Sequence, residues 1–316
     1  MGIGSTIGTA VERGLDEHDD RRDLAVTTWR YLRMGLIALA IGLGVAVAYE
    51  RMRAGCWQTS ISAYYYTPAQ GVLVGGLVAI GVCLICLRGA SDGEDVLLNL
   101  AGIGAPFVAL VPLPDEGDCA VPDLAVGDQA LNVGNNITAL LVVAWLSLAF
   151  VALVTVRNPQ RDATTRPSAA DLTGYAVAVA VLLGTTVFFV ADRGLFLDVA
   201  HYLAATLMFV FVFLNVCLNA VQRYRAERKA GMPAGWDNRY ARIAVVMLVD
   251  VGVHGVLLLL DWSHWILTLE ASLIALFTWF WVAQTFERWA DGITPTPGTG
   301  MRPDPGGVGR RSTRAR

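Results

Sequence analysis

Residues 199–221 have the sequence VAHYLAATLMFVFVFLNVCLNAV, which contains no Asp, Glu, Lys or Arg. An α-helix rises about 1.5 Å per residue, so about 20 apolar residues cross a bilayer core of about 30 Å. In lipid, a helix satisfies its backbone polar groups internally, which an isolated strand does not. The stretch therefore predicts a transmembrane helix, and the fold class depends on how many similar stretches the chain contains.

Seven further segments approach the same length and apolar character. They are residues 31–49, 70–87, 96–113, 135–156, 172–191, 241–260 and 265–283. The segment 96–113 is short and contains Asn99 and Pro106, so it also fits a kinked or re-entrant segment, which would leave seven spans. The sequence predicts an all-α, polytopic transmembrane helical bundle with about eight spans.

The overall composition supports this fold class. Apolar residues make up 55% of the 316 residues and charged residues 16%, well below the roughly 25% of an average soluble domain. The mean hydropathy is positive, at +0.51. The lipid bilayer is therefore the predicted partner, and no nucleic-acid partner is expected.

The distribution of basic residues predicts the orientation, because Lys and Arg accumulate in cytoplasmic loops and near the cytoplasmic ends of spans. Eight spans with both termini in the cytoplasm place 21 of the 24 Lys and Arg residues inside, leaving only Arg51, Arg53 and Arg193 outside. The loop 114–133 contains five acidic residues and no basic residue, and belongs outside in the same topology. We expect a multi-pass protein of a bacterial cytoplasmic (inner) membrane.

Three regions follow from this topology. Residues 1–28 are a polar cytoplasmic segment without the apolar core of a signal peptide. Residues 29–289 form the transmembrane helical domain. Residues 290–316 are rich in Gly, Pro and Arg and predict a disordered basic cytoplasmic tail.

Two of the five cysteines fall in predicted outer loops. Cys56 and Cys119 would face an oxidising compartment, where a disulfide forms if their Cα atoms approach within about 7 Å. The alternative is two free thiols. The other cysteines lie within spans, where Cys commonly packs as a small apolar residue.

Ionisable residues within the spans are the main candidates for function, because each costs about 2.5 to 3.5 kcal/mol at the centre of a helix on insertion scales. Asp250 and His254 are one helical turn apart, close enough for a hydrogen bond. In the eight-span topology His201, Asp198 and Glu270 lie in the same outer half of the bilayer. We therefore expect an outward-opening polar site for a small ligand, an ion or a lipid headgroup, of the kind that a transporter uses.

Two alternatives remain open for these residues. A catalytic zinc ion needs about three protein ligands and one open position, which His201, His254 and His264 would supply. The chain has no H-x-x-x-H or H-E-x-x-H pair, so spacing alone does not indicate zinc, and no cofactor is predicted outside this alternative. In the second alternative the polar residues only hydrogen-bond between helices and stabilise the bundle.

The stretch SISAYYYTP, at residues 60–68, resembles a motif of uncharacterised actinobacterial polytopic integral membrane proteins. Residues 89–105, 132–140 and 280–287 are also similar to that family, which implies a membrane-embedded helical fold and no known activity. A fainter resemblance is to membrane hydrolases of the ceramidase and adiponectin-receptor type. That resemblance implies a serine, an aspartate and three histidines around zinc, and this chain departs from the paired-histidine pattern.

Overall fold

The computed structural model describes the backbone of residues 3–114, 117–119, 129–157, 169–231, 233 and 235–289. Most of the acidic loop and the whole predicted tail, 290–316, lie outside the described residues. Every element within these ranges is a helix. In chain order they are α1 (Ile3–Ala54), a 3-10 helix (Ser62–Tyr66), α2 (Gln70–Cys86), α3 (Asp92–Leu110), α4 (Gln129–Arg157), α5 (Ala169–Ala191), α6 (Arg193–Lys229), α7 (Arg239–Leu259) and α8 (Trp265–Glu287).

Seven of these eight α-helices are long and apolar enough to cross a membrane, and the exception is α2. At 17 residues α2 is about 25 Å long, slightly shorter than a bilayer core of about 30 Å. The predicted third segment, 96–113, corresponds to α3, a 19-residue helix that continues through Pro106 and is one of the seven. The chain therefore has the fold of a multi-pass α-helical membrane protein.

Six helices form a closed ring. Each of α1, α2, α3, α6, α7 and α8 packs against the next in this order, and α8 returns to α1. The main apolar cluster draws its residues from these same six helices. The pair α4 and α5 lies outside the ring, where both pack against α3 and α5 also packs against α6.

The contact between α2 and α3 is unusually close. A Cβ atom added at Gly81 would lie 2.7 Å from the backbone oxygen of Gly102, and one added at Gly102 would lie 2.7 Å from the backbone oxygen of Gly81. Small residues allow helix backbones to approach each other in membranes, where van der Waals packing replaces the hydrophobic effect as the driving force. This close approach packs the short helix α2 tightly against α3.

One end of the bundle, here called the disulfide end, is closed by loops. Cys56 and Cys119 form a disulfide with their Cα atoms 6.0 Å apart. The Gln58 side chain accepts a hydrogen bond from the backbone N–H of Cys119 at 3.2 Å and donates one to the carbonyl of Ala63 at 3.3 Å. Burial raises the pKa of Tyr64 in the adjoining 3-10 helix, which favours its neutral form. These contacts tie the loop between α1 and α2 to the chain that follows α3.

Candidate functional site

Two polar side chains of α7 contact two hydroxyl side chains of α8. Asp250 lies in the middle of α7, and its Oδ1 is 3.3 Å from Nδ1 of His254. Its Oδ2 accepts a hydrogen bond from Oγ of Ser272 at 2.6 Å. On the other side of the imidazole, Nε2 of His254 lies 3.0 Å from Oγ1 of Thr268. We call these four residues the α7–α8 polar cluster.

The hydrogen bonds of His254 allow two protonation states. Its Nδ1 lies 2.8 Å from the carbonyl oxygen of Asp250, an acceptor only, so Nδ1 carries a hydrogen. The Thr268 hydroxyl is 3.1 Å from the carbonyl oxygen of His264, to which it donates. In that arrangement Nε2 must also donate, and His254 is a cation beside the Asp250 carboxylate. If the hydroxyl turns to donate to Nε2, the imidazole is neutral.

Glu270 lies on a different face of α8 from this cluster. It follows Thr268 by two residues, which places the two side chains about 200° apart around the helix. Its carboxylate accepts hydrogen bonds from the backbone N–H of Ser62 at 3.2 Å and from the Ser62 hydroxyl at 3.3 Å. Glu270 therefore joins α8 to the 3-10 helix and does not meet His254.

His201 is buried at the disulfide end of α6. Its Nδ1 lies 2.6 Å from the carbonyl oxygen of Val111, the residue that follows the last turn of α3. The end of a helix leaves carbonyl groups without intrahelical partners, and His201 satisfies one of them. Its Nε2 has no hydrogen-bond partner among the described residues. Asp198, which was predicted to lie in the same outer half of the bilayer, has an exposed side chain.

The three histidines considered for zinc have different contacts. His201 faces the end of α3, His254 faces α8, and His264 immediately precedes α8. Within the described part of the chain, no group of three or more His, Cys, Asp or Glu side chains is arranged to bind a metal ion. His201 and His254, both considered for zinc in the hydrolase alternative, therefore contact different helices.

A second polar cluster, at the opposite end of the bundle, was missed by the sequence analysis. Glu94 is fully buried in the first turn of α3, and its carboxylate accepts hydrogen bonds from Nδ2 of Asn219 at 3.2 Å and Nε2 of Gln284 at 3.0 Å. Arg288 lies 3.5 Å from the same carboxylate and donates to Oδ1 of Asn219 at 2.9 Å. These four residues, here called the Glu94 network, join α3, α6 and the end of α8.

Local sequence explains how Glu94 reaches this position. Ser91 precedes the helix and accepts a hydrogen bond from the backbone N–H of Glu94 at 3.3 Å, while the Glu94 carboxylate accepts one from the N–H of Ala90 at 2.8 Å. This pattern is that of a capping box, S-x-x-E, which the sequence contains. The predicted third segment begins at residue 96, so Glu94 fell outside the residues considered.

Arg33 of α1 is buried beside the same end. Its guanidinium carbon lies 3.9 Å from the ring centroid of Trp29 and 5.0 Å from that of Trp281. Stacking of this kind offsets part of the cost of burying a cation. The arginine thereby joins α1 to α8 at the level of the Glu94 network.

No protein-family model matches this chain, and neither a curated protein nor a solved structure is significantly similar to it. The resemblance to the actinobacterial family therefore stays a prediction. The case for a function depends on the polar clusters themselves.

Proposed function

We propose that the protein is a proton-linked carrier of an ion or a small basic solute in the cytoplasmic membrane, and that Asp250 and His254 bind the proton. The observation that carries the proposal is the α7–α8 polar cluster. It places a carboxylate and an imidazole in contact in the middle of a helix long enough to cross a membrane. Ionisable pairs at this depth are costly and mark ion or proton pathways by default.

The cluster offers a simple way to couple a proton to a charged ligand. When His254 is a cation, it balances the charge of the Asp250 carboxylate. When His254 gives up its Nε2 proton to water, the carboxylate is left with one uncompensated negative charge. A cation or a protonated amine then replaces the proton as the partner of Asp250, with no net change in the charge of the site.

Proton release would also change the contact between α7 and α8. The Thr268 hydroxyl donates to the His264 carbonyl in the cationic state and to Nε2 of His254 in the neutral state. Each state therefore favours a different hydrogen-bond arrangement at the start of α8. A difference of this kind gives the two states different free energies, which a coupled conformational change requires.

Two observations support a periplasmic or external location for the disulfide end. Disulfides form and persist in oxidising compartments, and Cys56 and Cys119 are bonded at this end. The opposite end contains Arg33, Arg88 and the basic segment 223–242, as the positive-inside rule expects of a cytoplasmic face. His254 and Thr268 lie on the disulfide side of Asp250, so we propose that the site opens outward.

The transport proposal is tested in proteoliposomes with an acidic interior and an internal pH indicator. Sodium, potassium, methylammonium and larger amines are added outside in turn, and proton efflux is recorded. The signal of protein-free liposomes is subtracted, because neutral amines cross lipid and take up internal protons without a carrier. We expect at least one cation to drive efflux, and Asp250→Asn and His254→Gln to abolish it. Asp198→Asn is the matched control, because Asp198 is an exposed carboxylate outside the cluster. Efflux that survives Asp250→Asn, or no efflux with any cation, would contradict the proposal.

The protonation of His254 is measured separately by nitrogen NMR of protein labelled at histidine. His254→Gln identifies its signals among those of the four histidines. We expect signals of two states, one with both ring nitrogens protonated and one with a hydrogen on Nδ1 alone. An imidazole that stays neutral from pH 5 to pH 9 would leave only a structural role for the cluster.

The proposed orientation is tested by labelling intact cells with an impermeant thiol reagent. Single cysteines are introduced as Asp123→Cys, Arg161→Cys and Arg228→Cys, with Cys83, Cys86 and Cys217 replaced by Ser. We expect labelling at position 123 only. Labelling at position 228 without labelling at position 123 would reverse the orientation.

A further inference from the structure

A cavity of about 450 Å³ opens at the end of α6 that belongs to the Glu94 side of the bundle. Four of its lining residues, Val221, Tyr224, Arg225 and Arg228, follow the spacing i, i+3, i+4 and i+7 and therefore share one face of α6. Lys229 and Trp236 complete the lining. We call this cavity the basic groove.

The cations of the basic groove differ from neighbouring arginines in their partners. Arg223 pairs with Glu227 and Glu287, and Arg242 pairs with Asp237 at 2.7 Å and lowers the pKa of that carboxyl. By contrast, none of the three cations in the groove forms an ion pair with a carboxylate that the structure describes. The groove thus concentrates uncompensated positive charge, which favours an anionic ligand.

Two aromatic rings, here called the aromatic wall, lie beside the three cations of the groove. The rings of Tyr224 and Trp236 stack with their centroids 4.3 Å apart and their planes 12° from parallel. Trp236 lies in the segment between α6 and α7 and is largely exposed, so this contact fixes its ring beside the groove. Tyr and Trp at such positions favour the headgroup layer of a membrane, where one edge of the ring is apolar and the other polar.

The residues that line the groove change from apolar to cationic along α6, as a phospholipid changes from its acyl chains to its charged headgroup. Val221 lies nearest the membrane interior, the Tyr224 ring is one turn further out, and Arg228 is about 10 Å beyond Val221 along the helix. With 37 residues, α6 is about 55 Å long and projects beyond a bilayer core of about 30 Å. The cations therefore lie at the headgroup level when the apolar part of α6 is in lipid.

We propose that the basic groove binds the phosphate of an anionic phospholipid from the adjoining leaflet. Arg225 and Arg228 present planar guanidinium groups, which donate two parallel hydrogen bonds to phosphate oxygens. Val221 and the aromatic wall contact the glycerol and the first carbons of the acyl chains. Free phosphate or a soluble phosphate ester shares the headgroup chemistry but would leave the apolar part of the groove unused.

The test is native mass spectrometry of the full-length protein purified in detergent and titrated with defined ligands. Phosphatidylglycerol is compared with phosphatidylcholine, glycerol 3-phosphate and inorganic phosphate. We expect phosphatidylglycerol to bind most tightly, and Arg225→Gln/Arg228→Gln to weaken its binding by about 10- to 30-fold. Lys229→Gln alone should weaken it by a smaller factor.

The control is Arg157→Gln/Arg161→Gln, which removes the same charge from positions outside the groove. It should leave the affinity for phosphatidylglycerol unchanged, and the thermal midpoints of both double variants should match that of the unaltered protein. An equal loss in the two double variants would overturn the proposal in favour of diffuse charge attraction. Glycerol 3-phosphate binding as tightly as phosphatidylglycerol would overturn it in favour of a soluble phosphate ester.

Discussion

The helices α3 and α4 are adjacent in the chain and differ in their surroundings. The most apolar stretch of α3 is the least apolar of the seven spans, yet 50% of it is buried inside the bundle. The corresponding stretch of α4 is the most apolar, and only 11% of it is buried. Of these two neighbouring helices, the more apolar one is therefore the one that the bundle buries less.

The physical reason is that lipid can solvate apolar side chains but offers no partner to polar ones. Glu94 of α3 must be surrounded by Asn219, Gln284 and Arg288, which forces α3 into the ring of helices. Leu146 and Phe150 of α4 need no protein partner and remain largely exposed. A comparison of substitutions in the two environments tests this explanation directly.

The largest effect is expected for Glu94→Ala. It would leave Arg288 and the amide groups of Asn219 and Gln284 without their shared acceptor in a buried site, and removing one partner of a buried pair costs about 3 to 5 kcal/mol. We expect the free energy of unfolding to fall by that amount in detergent titrations followed by circular dichroism. Asp92→Ala, two residues earlier and only partly buried, is the control. Equal stability of the two variants would refute a structural role for the Glu94 network.

Two Leu→Ala substitutions, which change no charge, compare a buried position in the core with an exposed position on α4. Leu98 of α3 is 3% exposed, and Leu98→Ala should lower the free energy of unfolding by at least about 2 kcal/mol because a cavity remains. Leu146 of α4 is 64% exposed, and lipid can fill the space left by Leu146→Ala, so a change under about 0.5 kcal/mol is expected. Unfolding titrations that give the same loss for both would contradict the assignment of α4 to the lipid-exposed side.

A smaller loss of unfolding free energy is expected from a substitution at the close contact between α2 and α3. Gly81→Ala would place a methyl group against the backbone oxygen of Gly102, and overpacking of this kind costs about 1 to 3 kcal/mol. Gly75 lies on the same helix with nothing within 4 Å of an added Cβ, so Gly75→Ala should be neutral or slightly stabilising. Thermal unfolding in detergent checks both, and a neutral Gly81→Ala would mean that α2 shifts freely.

The smallest loss of unfolding free energy is expected for the α4–α5 pair, which lies outside the ring. Nε1 of Trp145 in α4 donates a hydrogen bond to Oγ1 of Thr186 in α5 at 3.1 Å. Single hydrogen bonds between membrane helices contribute about 0.6 kcal/mol on average, so Trp145→Phe should lower the unfolding free energy by about that much. Trp279→Phe, at a ring that is largely exposed on α8, controls for the loss of an indole. A loss of several kcal/mol at Trp145 would show that the α4–α5 pair depends on this one contact.

The sequence analysis predicted one contact of the α7–α8 polar cluster but not which other residues belong to it. The spacing of Asp250 and His254 predicted a contact along one helix, and the structure has that contact because the geometry of a helix fixes neighbours four residues apart. The same analysis grouped His201, Glu270 and Asp198 with them by depth in the membrane. Depth places residues at one level but does not say which way each helix is rotated. His201 contacts the end of α3, Glu270 contacts the 3-10 helix, and Asp198 is exposed.

By itself the sequence determined the fold class and the positions of most spans, and it predicts an orientation. Lipid imposes those features on each segment separately, through the length of an apolar helix and the placement of Lys and Arg. Only the tertiary structure decided that α3 lies in the ring while α4 and α5 lie outside it, and that Glu94 meets Gln284, 190 residues away. Those facts depend on the order and rotation of the packed helices, which arise from contacts between segments and are not encoded in any single one.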